Sequence, residues 1–113
     1  MAREKRALWV EFAPESLPST QELRAQFATS YPVFKDMAAV ECKCWWVEQE
    51  AGRWGALYVF RSAAELEEYL NSERWRKVIP EKYGCTPTWR VLEVGAILSK
   101  EQITQGEGSW LTP

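Results

Sequence analysis

The chain contains no histidine, so the side chain that most often moves protons at neutral pH, ligates metals or holds a haem iron is absent. Acid–base work therefore falls to carboxylates, lysines and tyrosines. Two such groups sit among aromatic residues at period-2 spacing: Glu11 in LWVEF, two residues after Trp9, and Lys43 in CKCWW, two residues before Trp45. Tyr58 and Phe60 in LYVF and Trp89 in TWRV share this strand-like alternation. Gathered on one sheet face, Trp9, Trp45, Tyr58, Phe60 and Trp89 would wall a substrate pocket around Glu11 and Lys43. Aromatic walls with a few convergent polar groups suit a flat apolar ligand. Desolvation there raises a carboxylate's pKa and makes Glu11 a general base near neutrality, while Lys43 stabilises the resulting phenolate or enolate. The same residues also admit a plainer reading. The aromatics then fill the core and a subunit interface, Glu11 and Lys43 form an ordinary ion pair, and the Tyr58 hydroxyl is structural.

The remaining candidates narrow the chemistry. Cys42 and Cys44 share a strand face, but with Cys85 they leave a tetrahedral zinc site short of its usual four ligands. Without a Cys-x-x-Cys pair or a neighbouring histidine they read as buried reduced thiols. The glycine pairs Gly52/Gly55 and Gly106/Gly108 do not lie between a strand and a helix, so no nucleotide-binding fingerprint exists. No cofactor and no metal are therefore expected. A length of 113 residues gives one domain with a real core, and a net charge of −2 argues against nucleic acid and anionic membranes as partners. No apolar run approaches a membrane span and MAREKRALWVEF lacks the apolar core of a signal peptide, so the expected location is cytoplasmic.

The elements that must carry these residues can be read in order. Residues 6–13 alternate as a strand that stops at Pro14, and Ser19-Thr20-Gln21-Glu22 is a capping box opening a helix with Leu23, Phe27 and Tyr31 on one face. Pro32 is expected to end or kink that helix. Residues 40–49 and 54–61 then form a hairpin around Glu50-Ala51-Gly52-Arg53, and Ser62-Ala63-Ala64-Glu65 caps a second helix burying Leu66, Tyr69 and Leu70. A short third helix carries Trp75, Val78 and Ile79 and is closed by Pro80, and residues 86–94 form the last strand. Residues 1–98 make the domain. Residues 99–113 are a tail whose Trp110 and Leu111 are expected to pack on the body or on a partner subunit.

The order βαββαβ is the ferredoxin-like split βαβ arrangement, an α+β fold with helices on one face of a four-stranded antiparallel sheet. Leu8/Val10/Phe12, Cys42/Cys44/Trp46, Leu57/Val59 and Leu92/Val94 are expected to meet the helices. Trp9, Glu11, Lys43, Trp45, Tyr58, Phe60, Trp89, Val91 and Glu93 are expected on the opposite face. An apolar face of that size needs a cover, and a second copy of the chain would supply one.

Lys43-Cys44-Trp45, Gly55-Ala56-Leu57-Tyr58-Val59-Phe60, the helix 64–70 ending in Tyr-Leu, and Arg90-Val91-Leu92-Glu93-Val94 together resemble the dimeric α+β barrel superfamily, and within it the YdhR-type monooxygenases. Ala56 stands where that pattern has a second glycine, and Glu11 where some relatives carry histidine. The resemblance implies a homodimer with facing sheets, each subunit enclosing a pocket. It also implies a cofactor-independent monooxygenase-like activity on an aromatic or polyketide-like compound. Two alternatives stay open: a non-catalytic binder of such a ligand, and a structural homodimer whose own Trp side chains fill the cavity.

Overall fold

The computed structural model describes residues 4–98. The expected contacts of Trp110 and Leu111 lie outside them. The elements run β1 (Arg6–Phe12), α1 (Thr20–Lys35), β2 (Val40–Glu48), β3 (Arg53–Phe60), α2 (Ala63–Leu70), a π-helical turn (Arg74–Val78), α3 (Ile79–Tyr83) and β4 (Thr88–Glu93). The sheet order is β2-β3-β1-β4, with every neighbouring pair antiparallel. This is the α+β ferredoxin-like arrangement, with the two hairpin strands on one side and the chain's first and last strands on the other.

Local chemistry explains most of the boundaries. The Ser19 hydroxyl accepts from the Glu22 N–H at 3.1 Å, while the Ser19 N–H donates to the Glu22 carboxylate at 2.9 Å, satisfying two otherwise orphaned donors. At α2 only half of this motif forms. Ser62 accepts from the Glu65 N–H, but the Glu65 carboxylate takes the Ser62 hydroxyl and the Arg61 guanidinium instead of returning to the backbone. The hairpin reverses at Gly52, whose φ of +70° suits a residue without a Cβ.

Two proline expectations are corrected. Helix α1 continues through Pro32 to Lys35, because the proline and Ala28, whose carbonyl loses its usual partner, both lie on the exposed side where water can bond. Phe34 is buried beyond it and holds the last turn on the sheet. Pro80 does not close the third helix but sits in the first turn of α3, where its missing N–H costs least.

The assignment of sheet faces is corrected as well. Cross-strand partners share a face, and β1 pairs Leu8 with Tyr58, Val10 with Ala56 and Phe12 with Trp54. On β2, Lys43 and Trp45 lie opposite Tyr58 and Ala56. The helix-covered face thus combines Leu8, Val10 and Phe12 with Lys43, Trp45, Tyr58 and Phe60, and they pack with Leu23, Phe27, Phe34, Leu66 and Tyr69. Cys42, Cys44, Trp46, Leu57, Val59 and Leu92 lie on the other face with Trp9 and Glu11. Most of the aromatic side chains, with Leu8, Val10 and the helix leucines, fill the gap between helix and sheet, and the open side carries Trp9 and Trp46 beside smaller aliphatic and thiol groups. Both Cys42 and Cys44 are exposed rather than buried. Val94 falls one residue beyond β4. No helix among the described residues is long and apolar enough to cross a membrane.

Candidate functional site

Lys43 enters the helix-covered layer from β2. Its Nζ stands 3.3 Å from the Phe34 ring centre, 4.2 Å from that of Tyr58 and 4.5 Å from that of Trp45. Ring faces attract a cation through their quadrupole, which offsets part of the lost hydration. The offset is incomplete: Lys43 is partly exposed along its length, yet burial of the amine and then the nearby Arg74 and Lys82 charges hold its pKa well below the ordinary lysine value. No carboxylate pairs with it among the described residues.

The ring cage is fixed from several elements. Phe34 meets Tyr58 edge-on at 5.5 Å, and Trp45 lies beside Phe27 and Tyr31 of α1. The Tyr58 and Tyr69 hydroxyls lie 3.3 Å apart in the core. Burial pushes Tyr58 well above the usual tyrosine value and Tyr69 up to about 12, so both are neutral phenols at physiological pH. Ser30, the buried polar residue of α1, shares a hydrogen bond of 3.3 Å with the Tyr83 hydroxyl of α3. Phe34, Trp45, Tyr58 and Tyr83, with Arg74 and Lys82, line a cavity of about 20 Å³ beside Lys43, enough for roughly one water.

The residues expected at the site therefore divide. Lys43, Trp45 and Tyr58 converge on the cavity. Phe60 stacks on Tyr58 at 5.7 Å but is wholly buried in the core. Trp89 is 45% exposed and meets Trp75 edge-on at the rim of a separate open surface groove of about 500 Å³. Trp9 and Glu11 lie on the opposite face of the sheet, where Trp9 stacks on Trp46 at 4.9 Å and Glu11 accepts from Arg53 at 2.9 Å. Glu11 and Lys43 are thus separated by the sheet, because Glu11 pairs with Gly55 and Lys43 with Tyr58, positions of opposite parity on β3. They are not an ion pair, and the Glu11 carboxylate is already neutralised by Arg53. Phe34, Arg74, Lys82 and Tyr83 come from helices and carry no alternation signal. Arg74 and Lys82 are eight residues apart, close to two helical turns, which is the one sequence feature pointing to a shared face.

Among the described residues no group of three or more His, Cys, Asp or Glu is placed to hold a metal ion. No protein-family model matches the chain, and no curated protein matches it significantly. Solved structures do. A protein of unknown function from Nitrosomonas europaea, NE2512, superposes with a TM-score of 0.65 at 17% identity over 90% of this chain and 100% of its own. SnoaB, a cofactor-independent oxygenase from Streptomyces nogalater, gives 0.60 at 12% identity over 86% and 99%. Rv0793 from Mycobacterium tuberculosis gives 0.59 at 17% over 87% and 99%. Near-complete coverage of both partners establishes the architecture, while identities this low leave the chemistry to the site itself. The chain shares the α+β ferredoxin-like fold of these structures.

Proposed function

We propose that the chain binds a flat aromatic compound between its sheet and helices, against Lys43, Trp45 and Tyr58, and oxygenates it without a cofactor, as a homodimer in the cytoplasm. The observation that carries this reading is the Lys43 amine enclosed by three rings with no acid partner among the described residues. The oxygenase step is supported by likeness of fold to SnoaB, and the location by three free thiols.

The chemistry follows from the amine. A lysine whose pKa is depressed offers more free amine than an ordinary lysine, and that amine can take the acidic proton of a phenol or enol seated against it. The resulting ammonium then stabilises the oxyanion beside it. An electron-rich anion of this kind reacts with dioxygen using its own electrons. Oxidation of a ring CH₂ to a carbonyl consumes one O₂ and releases one water. The Tyr58 and Tyr69 phenols, held neutral, donate hydrogen bonds and do not compete for the proton. The preformed cavity is water-sized, so binding a ring requires the layer over it, in which Ile79 and Tyr83 of α3 pack, to move aside.

Oxygen uptake with a panel of hydroxynaphthalenes tests the proposal. Lys43→Met should lower turnover by at least about a hundredfold, in the range of a lost general base, while Glu11→Gln leaves it within about twofold. Turnover retained by Lys43→Met, or lost with Glu11→Gln, would contradict it.

A further inference from the structure

The charge balance of the cavity identifies its ligand more narrowly. Three basic side chains, Lys43 of β2, Arg74 of the π-helical turn and Lys82 of α3, line one small cavity to which no described carboxylate contributes. None of the three is in an ion pair among the described residues. Other described cations without an ion pair, Arg24, Lys35, Arg76, Lys77 and Arg90, are exposed to water; what sets these three apart is that they share one cavity. Like charges that converge without a counterion destabilise the site that holds them, and a bound anion would relieve the repulsion. The walls between them are rings, those of Phe34, Trp45, Tyr58 and Tyr83.

We propose that the cavity recognises a planar conjugated oxyanion, the carboxylate or ionised enol of an aromatic ligand, through Lys43 with Arg74 and Lys82. This rests on the reading of the cavity as a ligand site and specifies its substrate class. The arrangement has a consequence for pH. Titratable or charged groups facing Lys43 are Tyr58 of β3, with Tyr69 of α2 behind it, Arg74, and Lys82 and Tyr83 of α3. From α1 and β1 come only Ser30, Phe34, Val10 and Phe12. Lys43 is therefore the group whose protonation a bound anion favours, and anion affinity falls as pH rises through its titration.

Calorimetric titration of the full chain with 2-naphthoate, its neutral isostere 2-naphthamide, and the enolate former 1,3-indandione tests this. At least one anion should bind roughly tenfold or more tightly than the amide, the effect of a charge-assisted contact in a desolvated site. That preference should disappear in Lys43→Met and shrink in Lys82→Gln, a variant at an exposed residue that leaves the fold intact. The affinity for 2-naphthoate should weaken with rising pH in the wild type and lose that slope in Lys43→Met. A preference for 2-naphthoate alone or for the diketonate alone identifies which oxyanion the site takes. Equal binding of amide and anions, or a preference that survives Lys43→Met, overturns the inference while leaving an aromatic pocket standing. If none of the three binds, both readings fall.

Discussion

Lys43 and Glu11 show how far a side chain's role depends on what faces it. Both are ionisable groups beside a tryptophan, yet one is enclosed by rings without a counterion and the other is held by Arg53. The Arg53–Glu11 pair is partly exposed, with 40% and 24% of the two side chains accessible, and solvent screening leaves pairs of this kind with little net effect on stability. Lys43 acts on stability in the opposite sense. Its folded pKa lies below the ordinary 10.5, so between the two values the unfolded chain binds the proton more readily and stability rises with pH. Beyond 10 the buried Tyr58 and Tyr69 reverse the slope, because the unfolded chain releases their protons first. Lys43→Met should therefore raise Tm by a few degrees at neutral pH, with the gain shrinking toward pH 10.5. Thermal melts across pH 6–11 check this, and a destabilised Lys43→Met at pH 7 would contradict the reading of Lys43 as desolvated.

Among the elements, β3 sets the register of the sheet, and Gly55 is its most constrained position. A Cβ there would stand 1.9 Å from the Val10 carbonyl oxygen and 2.8 Å from the Trp46 ring. Trp46 lies across this gap to stack on Trp9. Gly55→Ala should cost more than about 3 kcal/mol, since the clash is with backbone, whereas Ser19→Ala at the start of α1 should cost about 1 kcal/mol. Urea titrations of the two variants rank them, and a near-neutral Gly55→Ala would show that the β1–β3 spacing is wrong. These elements also show which parts of the structure were legible in the sequence. Capping residues, turn glycine and alternation gave the order βαββαβ and nearly every boundary, because they act locally. Face assignment failed because both faces of β2 and β3 are apolar. Alternation within a strand says which residues go together, but only register says which set joins Leu8 and Phe12 of β1. Lys43, Trp45 and Tyr58 were recognisable as a group since they share that parity. Phe34, Arg74 and Lys82 were not, because helix packing brings them in across long sequence separations.

At the scale of the whole molecule, the open face of the sheet carries Trp9, Trp46, Leu57 and Leu92 with no helix of the described residues over it. Leu92 is 39% exposed. A second copy placed sheet to sheet would cover this surface, and the ligand cavities would then lie outside the interface, one per subunit. Native mass spectrometry should show a dimer that Leu57→Glu converts to monomer while leaving the fold intact by circular dichroism. A monomeric wild type would contradict the facing-sheet assembly without touching the cavity.

Lys43 is the centre of the proposed site, and NMR of the chain labelled at the lysine Cε carbon observes it directly. One lysine signal, absent from Lys43→Met, should titrate well below the others and shift when 2-naphthoate is added, while the remaining signals stay in place. If every lysine titrated at the ordinary value, or if the displaced signal were unmoved by the ligand, Lys43 would be a structural residue and the cavity would not be the functional site.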